Sequence, residues 1–166
     1  MAEPSDCSSF LDTVAARTAA PGGGSVAAVV AAFAAALTEM AARYAAEDDV
    51  ATRAGALRAR FLELAAEDAE AYAAVLGAQG EERQLALSRA ADVPLELAES
   101  AVEVTELANR LAAEGNPSLQ GDAMTAAFVA AAAAKAAANL VEINLADRPE
   151  DERVARARTA ATRAAG

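Results

Sequence analysis

The chain has 166 residues, a formal net charge of −11 and an isoelectric point of about 4.4. Such an acidic chain lacks the basic face that phosphate groups require, so we expect neither a nucleic-acid partner nor binding to an anionic membrane surface. It contains one cysteine and no histidine, which excludes an internal disulfide and leaves no ligand set for zinc, so we expect no metal site.

Alanine dominates the composition, with 53 of the 166 residues. Ala is the best helix former, whereas the residues that strands prefer are scarce: one Ile, no Trp, four Phe and two Tyr. We therefore predict an all-α fold, with one domain over 1–166 built as a bundle of about six long Ala-rich helices. Because a buried Ala removes little area from water, a second subunit would add burial that this core lacks, so we expect a homodimer.

Apolar periodicity and helix-breaking residues place six helices along the chain. The loop at 19–24 and the residues Gly77, Gly80 and Gly115 mark interruptions between them. The predicted ranges are 9–18, 25–47, 48–76, 81–114 with a bend or a restart at 92–94, 122–147, and a charged C-terminal helix or tail at 150–166 that is prone to fray.

The helix predicted at 25–47 carries its large apolar side chains on one stripe, and its other faces are almost entirely Ala. This pattern predicts a helix that is buried on several sides. The stripe consists of Val26, Val29, Val30, Phe33, Leu37 and Met40.

Features of a membrane protein or a secreted protein are not visible in the sequence. The first seven residues are polar, with no cationic segment before an apolar one, which predicts no secretory signal and a cytoplasmic location. The longest apolar runs, 26–37 and 126–134, are shorter than the ~20 residues that cross a bilayer, so we expect no membrane span.

Asp68 is the most informative residue of the predicted third helix. Spacings of three, four and seven residues place it on the same stripe as Phe61, Leu64, Tyr72 and Val75. A carboxylate on an apolar face costs free energy unless it is paired or has a task. Two interpretations follow: a general acid or base, or a structural carboxylate that caps a neighbouring helix or pairs with an arginine.

The segment Pro21-Gly22-Gly23-Gly24-Ser25 leads into a predicted helix, where Ser25 is expected to be the N-cap. Glycines let the backbone approach a ligand, and free N–H groups at a helix start favour an anion or a polar ligand edge. No Lys-Ser or Lys-Thr follows, so this is not a Walker loop. The alternative is an ordinary loop with a capping serine.

Polar residues also surround the helix predicted at 122–147. Asn116 and Asp122 bracket the loop before it, and Asp122 is a plausible N-cap. Lys135 and Asn139 lie four residues apart on the helix, where Lys135 either reaches outward to solvent or faces a polar cavity. Asn144 lies near the helix end, a position that is usually structural.

The available residues restrict the chemistry. Without histidine, neither a Ser-His-Asp nor a Cys-His arrangement exists, so nucleophilic acyl transfer of the usual kind is not expected. Carboxylate-assisted proton transfer is the remaining option.

Five segments, in this order, resemble the cyclodeaminase/methenyltetrahydrofolate cyclohydrolase family, which includes the C-terminal domain of formiminotransferase-cyclodeaminase. The resemblance covers roughly residues 5 to 147. The segments are AAPGGGSVAA (19–28), DAEAYAAV (68–75), VPLELAE (93–99), GNPSLQGD (115–122) and NLVEINL (139–145).

The resemblance implies a dimeric all-α bundle with a ligand cleft near the glycine loop and the subunit contact. By position, Asp68 matches the catalytic Asp of the family, and Gly22, Gly23, Gly24 and Ser25 match its ligand-site loop. The expected substrate-binding set further includes Tyr72, Asn116, Asp122, Lys135, Asn139 and Asn144.

The function implied by the resemblance is a folate-linked one-carbon enzyme that requires no separate cofactor. It would hydrolyse the methenyl amidine C–N bond of 5,10-methenyltetrahydrofolate, or cyclise formiminotetrahydrofolate with release of ammonia. One departure from the family is the acidic segment 43–49, where basic residues are common and where acids would repel the carboxylates of folate. The alternatives are therefore a family member with a different small amine or amidine substrate, and a non-catalytic helical dimer that binds a ligand or partner.

Overall fold

The structure is a computed structural model that describes residues 5–166, with side chains from residue 7 onward. Residues 1–4, which carry part of the expectation of no secretory signal, lie outside the described residues. Over the described part the chain forms seven α-helices, a short 3-10 turn at Pro117–Leu119 and no strand, which confirms the predicted all-α fold. The helices are α1 Ser5–Ala15, α2 Gly23–Tyr44, α3 Asp48–Gly77, α4 Gly80–Ala90, α5 Asp92–Glu114, α6 Gln120–Asn144 and α7 Glu152–Ala165.

The centre of the bundle is formed by α2, α3, α5 and α6, which pack extensively on one another, whereas α1 makes only sparse contacts with the rest. Small side chains allow the close packing, because α2 and α6 turn their Ala faces inward. The few large buried side chains come mainly from α3 and α5, and include Phe61, Leu64 and Leu97.

The large apolar stripe of α2 is less buried than its Ala residues, although Val30 and Leu37 pack against the core. Phe33 is 56% exposed, and the other members of the stripe are only partly buried. The prediction that α2 is buried on several sides is confirmed, because the helix packs on α3, α5 and α6. Most of the buried positions are Ala, and the large side chains of the stripe are less buried than the Ala residues. The outward face of α6 likewise exposes Met124 and Phe128.

Two helices are long and apolar enough to cross a bilayer by length and composition alone, namely α2 and the segment 117–144. Neither helix is one long uninterrupted apolar run in the sequence, because a few polar residues divide each of them into shorter runs. Their most apolar windows are 56% and 44% buried inside the bundle, and core helices pass the same test of length and composition.

The predicted helix 81–114 is two helices that meet at Ala91. Pro94 lies in the first turn of α5, where its missing N–H has no helical partner to lose. The sequence predicted a bend or a restart at this place, and the structure interrupts the helix at Ala91, whose backbone keeps right-handed helical angles.

The C-terminal segment is a packed helix and not a fraying tail. Val154, Ala157, Ala160 and Ala164 of α7 are buried against the bundle. Ion pairs reinforce this packing, since Arg156, Arg158 and Arg163 each contact a glutamate of another helix. The prediction of a fraying tail followed from the charges of this segment and overlooked the small buried residues between them.

Candidate active site

A cavity of about 290 Å³ lies where the start of α2 meets the C-terminal parts of α3 and α6. The sequence-predicted residues that line it are Gly22, Gly23, Gly24, Asp68, Tyr72 and Asn144. Leu140 and Ile143 add an apolar wall that was not predicted. Their spacing to Asn144 places all three on one side of α6, a pattern that could have indicated them.

Asp68 is held by two donors from α2. Its Oδ2 accepts a hydrogen bond from the main-chain N–H of Ser25 at 2.8 Å, and the Ser25 hydroxyl lies 3.0 Å from the same oxygen. The hydroxyl is also 2.9 Å from the carbonyl oxygen of Ala65. Oδ1 of Asp68 accepts no hydrogen bond from the residues that the structure describes.

This geometry corrects the predicted capping of α2. The N-cap is Gly22, and Ser25 lies in the first helical turn, so the prediction of Ser25 as N-cap is wrong. The first N–H groups of a helix have no partner within it, and Asp68 reaches from α3 to bind one of them. Asp68 thus performs the capping task that was the structural alternative, and it also borders the cavity.

Gly24 leaves the space that the side chain of Asp68 occupies. A Cβ atom at this position would overlap the carboxylate of Asp68, so any other residue would displace that side chain. A Cβ at Gly22 or Gly23 would meet no atom within 4 Å. Neither glycine has a positive φ, so the loop is open because of the space around it and not because of an unusual backbone.

Asn144 presents an oriented amide to the cavity. Its Nδ2 donates a hydrogen bond of 3.1 Å to the carbonyl oxygen of Ala90, at the end of α4. One of the two N–H donors of the amide is therefore used by the protein, and Oδ1 accepts no hydrogen bond from the described residues. The partly exposed ring of Tyr72 lies on the same cavity.

The cavity is acidic, because among the described residues no Lys or Arg lines it and Asp68 is the one carboxylate that does. Both donors to that carboxylate are uncharged groups of Ser25, so they leave its negative charge unneutralised. Such a site favours a ligand with positive charge or several N–H donors. Among the described residues, no three His, Cys, Asp or Glu side chains lie together as a potential metal site.

Two other predicted site residues lie at the opposite end of α6. This helix has 25 residues, or about 37 Å at 1.5 Å per residue, and the cavity is at its C-terminal end. Asn116 accepts a hydrogen bond of 2.9 Å from the N–H of Ser118 and so caps the 3-10 turn. Asp122 is exposed in the first turn of α6, whose N-cap is Leu119, so the prediction of Asp122 as N-cap is wrong.

Lys135 and Asn139 are exposed on the outward face of α6. Nine residues separate Lys135 from Asn144, which at about 100° per residue puts them on opposite sides of the helix. Lys135 therefore points away from the cavity of its own protomer, towards solvent in the protomer, which is the first of the two sequence-based alternatives.

The acidic segment 43–49 also lies far from the cavity. It follows the C-terminal end of α2, a helix of 22 residues or about 33 Å, whereas the cavity is at the N-terminal end. Within the protomer, its charges are too distant to repel a ligand bound near Asp68, given a screening length of about 8 Å at physiological salt.

The fold and this site define a class of protein: a helical bundle with a small-molecule cavity and one carboxylate fixed at a helix start. A solved structure with the same architecture is the formiminotetrahydrofolate cyclodeaminase of Thermotoga maritima. The two share a TM-score of 0.81 and 29% identity over 93% of this chain and 91% of the other.

Sequence comparison agrees with the structural match. The family model of formiminotransferase-cyclodeaminase matches residues 6–163, and the chain belongs to this family. It is 35% identical to the methenyltetrahydrofolate cyclohydrolase of Methylorubrum extorquens, over 81% of this chain and 76% of that protein. It is 37% identical to the formimidoyltransferase-cyclodeaminase of Rattus norvegicus, over 86% of this chain but only 31% of the rat protein.

Proposed function

We propose that this protein is a folate-linked one-carbon enzyme that hydrolyses the methenyl amidine C–N bond of 5,10-methenyltetrahydrofolate. The observation that carries the proposal is the unneutralised carboxylate of Asp68 at a cavity with no other charged side chain among its described lining residues. A methenyl amidinium is a cation, so it complements this charge. The similarity to a named cyclohydrolase, over most of both chains, supports the same reaction.

Asp68 would act as general base and as electrostatic stabiliser. Water adds to the methenyl carbon while Asp68 takes its proton, which gives a neutral tetrahedral adduct. Asp68 then returns this proton to the leaving ring nitrogen as the C–N bond breaks, and the hydroxyl proton of the adduct is released to solvent, giving the 10-formyl product. The carboxylate also stabilises the positive charge of the bound substrate before water adds. The reaction requires no redox or metal step.

Neighbouring groups would orient the substrate. The Oδ1 atom of Asn144 is an acceptor for a ligand N–H, and the N–H groups of Gly23 and Gly24 precede the first helical hydrogen bond of α2. They can donate to a carbonyl oxygen of the ligand. Leu140 and Ile143 offer an apolar surface to a planar ring.

The second candidate reaction is the cyclisation of formiminotetrahydrofolate with release of ammonia. The observation that favours it is the fold match to the Thermotoga maritima cyclodeaminase over nearly the whole of both chains. This reaction also transfers protons beside a cationic amidine, so the same carboxylate would serve it.

A direct assay separates these reactions from the alternatives. The purified protein is mixed with 5,10-methenyltetrahydrofolate or with formiminotetrahydrofolate, and absorbance is followed against the uncatalysed rate in the same buffer. Acceleration with the first substrate supports the cyclohydrolase, and acceleration with the second alone supports the cyclodeaminase. No acceleration with either substrate would contradict both, and would favour a different small substrate or a non-catalytic binding protein.

We propose further that the protein is a cytoplasmic homodimer. The outward faces of α2 and α6 expose large apolar side chains, including Phe33, Tyr44 and Phe128, which are 56%, 66% and 67% exposed in the protomer. Exposed apolar faces of this kind typically mark an interface. Light scattering at micromolar concentration should return twice the protomer mass of 16.7 kDa, and a protomer mass would contradict the dimer.

A further inference from the structure

The two oxygens of the Asp68 carboxylate have different surroundings. Oδ2 accepts from the N–H and lies within hydrogen-bond distance of the hydroxyl of Ser25, at 2.8 and 3.0 Å. Oδ1 has no donor among the described residues, and it lies over Gly24 at the wall of the cavity. The protein therefore holds Oδ2 by hydrogen bonds and leaves Oδ1 available to accept a proton.

Ser25 is placed to fix the orientation of this carboxylate. It is only 2% exposed, so its hydroxyl does not exchange partners with bulk water. The hydroxyl lies between Oδ2 of Asp68 and the carbonyl oxygen of Ala65. Ala65 lies about one turn before Asp68 in α3. Ser25 thus contacts both the side chain of Asp68 and the backbone that carries it.

Gly24 completes the arrangement from the other side. The carboxylate of Asp68 occupies the space that a Cβ at this position would need. The side chain is consequently confined between the Cα atom of Gly24 and the donors of Ser25.

We propose that Ser25 is a positioning residue for the reaction, one that holds Oδ2 of Asp68 so that Oδ1 is the oxygen that takes the proton. This inference rests on the proposed function. As the new C–O bond forms at the methenyl carbon, the water proton passes to Oδ1. A proton on Oδ2 would face the N–H of Ser25 and displace a hydrogen bond, so the two oxygens are not equivalent bases. Ser25 itself makes no bond to the substrate.

The first test is Ser25→Ala, which removes the hydroxyl and keeps the main-chain N–H. We expect kcat to fall by about 10- to 100-fold, because a small misplacement of a reacting group has effects of this size. KM should change less than about twofold. A rise in KM with unchanged kcat would overturn the inference in favour of direct substrate binding, and an unchanged kcat and KM would overturn it in favour of a purely structural hydroxyl.

The matched control is Thr38→Val. Thr38 is also a buried residue of α2, and among the described residues its hydroxyl donates a hydrogen bond only to the carbonyl oxygen of Ala34 in the same helix. This variant also loses a buried hydroxyl, but away from the cavity, so its kcat and KM should match those of the wild type. A similar fall of kcat in both variants would overturn the inference, because the effect would then come from a general loss of stability in α2.

A second variant tests the confinement of Asp68 without removing any donor. Gly24→Ala should lower kcat at least tenfold, because the new Cβ displaces the carboxylate. Gly55→Ala is its control, since Gly55 is also helical and a Cβ there would meet Glu39 at an ordinary 3.4 Å. Full activity of Gly24→Ala would overturn the inference.

Failure of the proposed function can be told apart from failure of this inference. If the wild type does not turn over either folate, the proposed function fails. Crystal structures of the wild type and Ser25→Ala then still test the orientation of Asp68. A rotated carboxylate in the variant supports the positioning role, and an unchanged one overturns it.

Discussion

Two carboxylates at opposite ends of α2, Asp68 from α3 and Glu39 from α2 itself, are held in different ways. At the start of the helix, Asp68 is bound by the N–H and hydroxyl of Ser25, which carry no charge. Towards the end of the helix, Glu39 lies 3.0 Å from the guanidinium of Arg58 and also contacts Arg43. A hydrogen bond from Arg58, followed by its charge and by Arg43, holds the pKa of Glu39 below its usual value.

The difference shows which carboxylate can serve a ligand. The charge of Glu39 is already compensated by two guanidinium groups, so it offers little attraction to a cation. The charge of Asp68 is fixed in position by neutral donors but remains uncompensated, beside a cavity. Burial alone does not distinguish the two residues; the charge of their hydrogen-bond donors does.

The largest expected effect comes from neutralising each carboxylate in turn. Asp68→Asn should lower the rate of the proposed reaction by about 10²–10⁴-fold, because the amide cannot accept the proton. Glu39→Gln, the matched control at the other end of α2, should keep wild-type kcat and KM. Near-normal turnover by a folded Asp68→Asn protein would contradict the proposed functional difference between Asp68 and Glu39.

The glycines at the cavity allow a test of binding separate from chemistry. Gly23→Val adds a side chain where a Cβ meets open space and where φ is not positive, so the fold should be retained. The new bulk borders the cavity, and we expect affinity for a folate ligand to fall more than tenfold, or by at least ~1.4 kcal/mol.

Calorimetric titration beside a thermal melt measures both quantities for Gly23→Val. Unaltered binding by the folded variant would remove Gly22 and Gly23 from the ligand site, and would leave Gly24 with its packing role alone.

The free energy of unfolding should fall when Glu39, the carboxylate that two arginines hold near the end of α2, is neutralised. Glu39→Gln removes the carboxylate from Arg58 and Arg43, whose side chains are 44% and 69% exposed, so solvent screening limits the loss. We expect about 1 kcal/mol, or a melting temperature lower by about 2–4 °C. A larger loss in Asp68→Asn than in Glu39→Gln, measured by the same melt, would show that Asp68 is the more structural of the two.

As the pH is lowered, protonation of the carboxylates that arginines hold should cause a small, graded loss of folding stability. The pKa of Glu39 is lowered, and hydrogen bonds from Arg153 lower the pKa of Asp151 at the start of α7 to about 2. A lowered native pKa stabilises the fold above the unfolded-state pKa, about 4, and this contribution is lost as the pH falls through the native value.

Denaturant titrations between pH 5 and pH 2, in roughly half-unit steps, measure this loss. Asp151→Asn should flatten the pH dependence, because it removes the carboxylate with the largest shift towards low pH. An unchanged slope would mean that Asp151 and Arg153 do not hold the start of α7 in solution.

Much of the fold and part of the site could be predicted from local pattern. The abundance of Ala and the periodicity of 48–76 predicted helices that the structure confirms, since these features depend on the chain alone. Asp68 stands out by its spacing alone, because it is the carboxylate within an apolar stripe. Its two proposed roles, helix cap and acid–base group, could not be separated, because both produce the same spacing.

Only the tertiary structure decided which predicted residues lie together. It brings Asp68, Gly24 and Asn144 to one cavity and places Asn116 and Asp122 about a helix length away. All five belong to motifs of the same expected site, and nothing in the sequence separated the two groups. Spacing along a helix determines the face of a residue but not which end of a neighbouring helix it meets. That choice depends on the direction of each helix in the bundle, which the close packing of Ala faces establishes and which no local pattern records.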